Sequence, residues 1–172
     1  MRRIAVLITT LFLAVVGFAP TASAATTINP AAAPTGTHFQ VGTATCASDG
    51  VTVTCSSYQL AGVGNANAEA TLSTRYQATV RCRNHGGQIV DVKSQVIPVS
   101  SSTGTLQPKN GRLEVPSLTS APAPSNATFE AQATCPNGNW TKLLLGGPNL
   151  TGYVYTLTFV GYTQAFFSKV GP

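Results

Sequence analysis

From residue 68 to residue 82 the chain changes character at every step. Ala68, Ala70, Leu72, Thr74, Tyr76, Ala78, Val80 and Cys82 share one parity. Glu69, Thr71, Ser73, Arg75, Gln77, Thr79 and Arg81 share the other. Strict alternation puts one set on a buried face and the other in solvent, so it predicts a half-buried strand or a bent pair of strands. A second alternating segment sets Ala127, Phe129, Ala131, Ala133 and Cys135 against Thr128, Glu130, Gln132 and Thr134, and predicts another strand. Further strands are expected over residues 39–46, 51–60, 88–99, 112–117, 140–145 and 153–160. In the last of these Tyr153, Tyr155, Leu157 and Phe159 share a parity. No stretch places apolar residues at i, i+3, i+4 and i+7, the stripe a surface helix needs. Turns are marked by Gly62-Val63-Gly64-Asn65, Asn84-His85-Gly86-Gly87, Lys109-Asn110-Gly111, Pro136-Asn137-Gly138 and Gly146-Gly147-Pro148-Asn149. About seven to nine short strands with frequent turns predict an all-β fold, an immunoglobulin-like antiparallel β-sandwich.

The beginning of the chain has a different pattern. Arg2 and Arg3 precede an apolar run over residues 4–19, Pro20 breaks it, and Ala22-Ser23-Ala24 offers the small-x-small pattern read by signal peptidase. The expected organisation is a signal peptide at 1–24, a flexible Ala/Thr/Pro-rich leader at 25–37, and one sandwich domain at 38–172. No later segment reaches about 18 uninterrupted apolar residues, so no membrane span is expected after the signal. Without those 24 residues, 148 of the 172 remain. A domain near that size buries roughly 70% of its unfolded surface.

An exported chain with four cysteines is expected to hold two disulfides. Three pairings are open, and spacing favours Cys46–Cys55 with Cys82–Cys135. A two-residue Asp49-Gly50 turn would set Cys46 opposite Val53 and leave Cys55 on the diagonal, about 7–8 Å away and too far to bridge. A four-residue loop over residues 49–52 would set the two cysteines face to face. In the second pair both cysteines fall on the apolar parity of their predicted strands, which is what a bridge between two stacked sheets requires. The alternative of a metal site lacks any Cys-x-x-Cys, and histidine is scarce, so no metal is expected.

Charge narrows the function. The net charge of +5 falls to +3 without Arg2 and Arg3, and Arg75, Arg81 and Arg83 are the nearest approach to a basic patch. That is too little for the basic stripe of a nucleic-acid binder. Serine-hydrolase chemistry lacks its Gly-x-Ser-x-Gly motif. His38 and His85 are the only histidines, and the five acids show no pairing of the kind a glycosidase uses. The chain is therefore expected to be non-enzymatic and to need no cofactor. Its expected partners are cell-envelope polysaccharide or protein. Trp140 is a candidate stacking platform for a sugar. Phe166 and Phe167 break the alternation near the end and are candidate exposed ligand contacts.

Four turn motifs, Gly62-Val63-Gly64-Asn65, Cys82-Arg83-Asn84-His85-Gly86-Gly87, Pro108-Lys109-Asn110-Gly111-Arg112 and Cys135-Pro136-Asn137-Gly138-Asn139-Trp140, follow the Cys46–Cys55 unit. Together they resemble uncharacterised small secreted proteins of actinobacteria. The resemblance covers most of the chain beyond the signal. It implies an extracellular or envelope location and an all-β build, and no catalytic residue. The Cys46–Cys55 spacing is also similar to that of the neocarzinostatin-type apoproteins, which are secreted immunoglobulin-like sandwiches. The expected role is a secreted structural or interaction module, or a carbohydrate- or small-ligand-binding module using Trp140 or the aromatic C-terminal region.

Overall fold

The computed structural model describes residues 24–172; residues 1–23 of the expected signal peptide lie outside the described residues. Among the described residues twelve strands, one short α-helix and one 3-10 turn make an antiparallel β-sandwich. The backbone of the larger layer is a pair of long strands, β6 (Ala68–Arg83) and β11 (Thr141–Phe159). The alternation from 68 to 82 is thus one unbroken strand, and all eight residues of its apolar parity are buried. Around this pair the sheet runs β1 (Ala25–Ile28), β12 (Phe167–Gly171), β11, β6 and β7 (Ile89–Lys93), and β8 (Ile97–Ser102) also pairs with β6. β7 takes the Thr79–Arg83 half of β6 and β8 takes the Thr71–Tyr76 half.

Two small sheets form the facing layer. One orders β10 (Leu118–Thr119), β4 (Val53–Cys55) and β3 (Cys46–Ser48). The other orders β2 (His38–Val41), β5 (Tyr58–Ala61) and β9 (Arg112–Val115). Leu60, Leu113, Val53 and Tyr58 from these sheets bury against Leu72, Tyr155, Leu157, Phe159, Phe166 and Phe167 of the large sheet. A second cluster, Tyr76, Ala78, Val80, Phe129, Ala133 and Leu144, fills the other half, beneath helix α1 (Asn126–Gln132).

Helix α1 stands where a strand was expected. Phe129 and Ala133 are buried, while Ala127 and Ala131 are exposed. Phe129 and Ala133 are four residues apart, a spacing that suits one face of a helix as well as one face of a strand. The segment's Ala, Glu and Gln are strong helix formers, and the helix covers sheet surface that a strand there would leave open. The Glu130 carboxylate accepts a hydrogen bond from the Leu144 N–H at 2.9 Å, tying α1 to β11.

The sequence suggested two strands, 140–145 and 153–160, separated by a turn at Gly146-Gly147-Pro148-Asn149. The structure merges them into β11, and the turn residues form a bulge. From Leu145 to Asn149 the strand advances four residues while β6 advances two, from Thr79 to Gln77. From Leu150 to Gly152 it advances two against one. The three extra residues are an odd number, so the buried parity switches from even at Leu144 to odd at Tyr153. Gly146, at φ 72°, supplies the left-handed step.

The leader at 25–37 is also ordered. β1 pairs antiparallel with β12, Ala25 opposite Val170 and Ile28 opposite Phe167, and closes one edge of the large sheet. Asn29 donates from its backbone N–H to the Phe166 carbonyl at 2.8 Å. A single 3-10 turn at Pro30–Ala32 follows, and Ala32 and Ala33 are buried.

Both disulfides pair as spacing favoured. The hairpin register sets Cys46 opposite Cys55 and Ser48 opposite Val53, leaving the four-residue loop 49–52. The second bridge has a different role from the one expected. Cys82 lies on the buried face of β6, but Cys135 lies in the loop after α1, so the bond fastens the helical cap to the large sheet rather than joining two sheets.

Candidate functional site

A broad hollow opens on the outer face of the β2-β5-β9 sheet. Its construction starts at the turn before β9. Asn110 at φ 52° and Gly111 at φ 72° both take left-handed conformations, as a type I′ hairpin turn demands. Lys109 and Arg112 exchange both backbone hydrogen bonds across it, at 2.8 and 3.0 Å. Residues so paired project to the same side. Arg112 pairs with Ala61, and Ala61 with His38, so Lys109, Arg112, Ala61 and His38 form one row across the sheet. The next row holds Glu114, Gln59 and Val41. Gln59 Nε2 donates to Glu114 Oε1 at 3.4 Å. A hollow of about 750 Å³ is lined by Gln59, Gln107, Lys109, Asn110, Arg112 and Glu114. A second, of about 520 Å³, shares Gln59 and Glu114 and runs toward Val41 and Pro116. The two make one open groove, polar at the turn end and apolar at the other.

Trp140 is half-buried beside Cys135 and lines a separate hollow of about 390 Å³ with Gln132, Thr134, Asn137 and Lys142. A stacking platform needs an accessible ring, and the half-buried Trp140 borders this hollow. The expectation for Phe166 and Phe167 is corrected: each is only 2% exposed. Phe166 packs on Phe159 and Phe39, and Phe167 packs on Phe39, Tyr58 and Tyr155. Both break the alternation because Phe166 lies in the bend just before β12 and Phe167 is its first residue. Neither can touch a ligand without unfolding that corner.

The acids are dispersed on different elements, each engaged with its own neighbour. The Asp49 carboxylate accepts from the Thr52 N–H at 2.6 Å and the Val51 N–H at 2.9 Å, which holds its carboxyl below the ordinary value and shapes the hairpin loop. Asp91 takes a two-pronged contact from Arg81 at 2.8 and 2.9 Å, and that guanidinium lowers its carboxyl in the same direction. Glu69 accepts from the Ser102 hydroxyl. His38 Nδ1 lies 2.8 Å from the Gly36 carbonyl oxygen, and His85 lies exposed in the β6–β7 turn. Among the described residues no cluster of three or more His, Cys, Asp or Glu side chains is arranged to hold a metal ion. No helix among them is long and apolar enough to cross a membrane.

Sequence reasoning singled out the Pro108-Lys109-Asn110-Gly111-Arg112 turn but not the groove. Asn-Gly between two basic residues is a readable hairpin signal. The partners Gln59 and Glu114 meet only through the β5–β9 pairing, which spans 55 residues of chain. No family model, curated relative or solved structure matches the chain.

Proposed function

We propose that this chain works outside the cytosol as a non-enzymatic interaction module, at the cell envelope or beyond it. The observation that carries the reading is the contrast between scaffold and chemistry. Two disulfides staple an antiparallel sandwich with an open polar groove, while acids and histidines are parcelled out singly to turns and strand edges. Disulfides persist where thiols are not kept reduced, which favours an exported protein. The proposal includes cleavage after Ala24 and takes the sandwich as immunoglobulin-like, on its two antiparallel layers. Expression in a secreting host tests it. The expected product begins at Ala25, has no free thiol, turns over no substrate in a hydrolase panel, and is retained by envelope material. Turnover abolished by substituting one acid or histidine would overturn the reading.

A second reading, a carbohydrate- or small-ligand-binding module centred on Trp140, is favoured by the half-buried position of that residue at the edge of its own hollow. Fluorescence of this single tryptophan, titrated with wall polysaccharides, is expected to shift on binding. No shift with any of them counts against it.

A further inference from the structure

We infer that the groove on the outer face of the β2-β5-β9 sheet binds an acidic polysaccharide whose carboxylates are spaced by neutral, hydroxylated sugars. This rests on the interaction-module reading and names the ligand class of its groove. Lys109 and Arg112 are exposed side by side at the hairpin turn. The one ion pair among the described residues is Arg81–Asp91, so neither turn cation is spent on a carboxylate of the chain. Arg112 offers the planar fork that fits a carboxylate in two-pronged fashion. Gln59, Gln107 and Asn110 line the same hollow. Amide side chains both donate and accept, as sugar hydroxyls do.

Glu114 sets the spacing. It lies two residues along β9 from Arg112 on the same face, about 7 Å away by strand geometry. A polymer charged at every unit would bring a carboxylate against it. A neutral sugar there would instead donate a hydroxyl to the carboxylate. The groove is open rather than enclosed, so it admits the middle of a chain and not only its end. At the turn end every lining side chain is polar or charged, which suits hydroxyls and carboxylates rather than an apolar peptide side chain.

The test titrates the full exported chain with four probes: hyaluronan oligosaccharides (alternating uronate and N-acetylhexosamine), polygalacturonate, dextran and polyglutamate. Hyaluronan is expected to bind tightest, and its affinity to fall as salt is raised. The K109A/R112A variant is expected to lose at least about fivefold in affinity, the loss two exposed charge contacts carry. R75A, an exposed cation on β6, is expected to match the parent. E114Q is expected to narrow the gap between hyaluronan and polygalacturonate. All these positions are exposed, and unchanged melting temperatures are expected to show that the fold is intact. Four results would each overturn the inference: no binding to hyaluronan; equal binding by K109A/R112A and R75A; dextran or polyglutamate binding as tightly as hyaluronan; or a gap that E114Q leaves untouched. An exported, inactive protein that holds envelope material without Lys109 and Arg112 sinks this inference and leaves the proposed function standing.

Discussion

The hydroxyls of Tyr58 and Tyr155 meet at 3.2 Å inside the core, one carried by the small β2-β5-β9 sheet and the other by the large sheet. Each is the other's hydrogen-bond partner across the layers, and burial pushes both above the ordinary tyrosine range. Tyr58→Phe therefore leaves the Tyr155 hydroxyl buried without that partner, at an expected cost of about 1–3 kcal/mol. The double replacement Y58F/Y155F is expected to cost less than the sum of the two single ones, because no orphaned hydroxyl remains. Denaturant titrations of the three variants measure this.

The same burial sets an alkaline limit. Tyr153 is raised too, by burial alone. In the unfolded chain these hydroxyls lose their protons near pH ~10. The folded chain keeps them longer, so above that pH the unfolded state binds fewer protons and stability declines. Thermal melts are expected to be insensitive to these three groups through neutral pH and to fall above pH ~10. The double Phe variant is expected to flatten that fall. A decline of equal steepness in the double variant would rule out the pair as its cause.

The two disulfides are expected to contribute unequally. Cys82–Cys135 spans 53 residues and Cys46–Cys55 spans nine. In the chain-entropy model that is roughly 4 against roughly 3 kcal/mol. Replacing Cys82 and Cys135 by Ala should lower the melting temperature more than replacing Cys46 and Cys55. Because Cys135 anchors the segment after α1, its loss should also raise hydrogen exchange in 126–135 ahead of the rest of the chain. Equal losses from the two pair deletions would contradict the entropic ranking.

Helix α1 has seven residues, too few to persist alone in water. Phe129, fully buried, is its main attachment to the sheet. Phe129→Ala is expected to cost about 3–5 kcal/mol and to abolish the helical contribution to circular dichroism before global unfolding. Retention of that signal in the variant would show that the disulfide and the Glu130 contact suffice to dock the helix.

Gly62 is the tightest backbone approach in the small-sheet layer. It has φ 74°, and a Cβ built on it would lie 2.1 Å from the Gly36 carbonyl oxygen. Gly62→Ala should destabilise by more than about 1 kcal/mol, combining a disfavoured φ with a backbone clash. Gly50→Ala, also at positive φ but in open space, should cost less. Chemical denaturation of the two variants side by side separates clash from conformation.

Local pattern alone determined a good part of this protein. The period-two run from 68 to 82 specified a strand and its buried face, because side chains alternate about a strand whatever it pairs with. The nine-residue cysteine spacing specified the hairpin loop, because only face-to-face cysteines can bridge. Tertiary structure decided the rest. Residues 127–135 suit either element by pattern, since Phe129 and Ala133 share a face at period two and at one helical turn; what they cover on the large sheet made them a helix. The residues at 146–149 carry turn chemistry, yet β6 pairs on both sides of them and turns them into a bulge. Residues 25–28 show no apolar alternation, and all four are exposed; they became a strand because β12 offered an open edge. Phe166 and Phe167 look unpaired in sequence because part of the surface that buries them, Phe39 and Tyr58, comes from strands more than 100 residues earlier in the chain. The groove has the same origin: Gln59, Arg112 and Glu114 acquire a common face only through long-range strand pairing, and no local period records it.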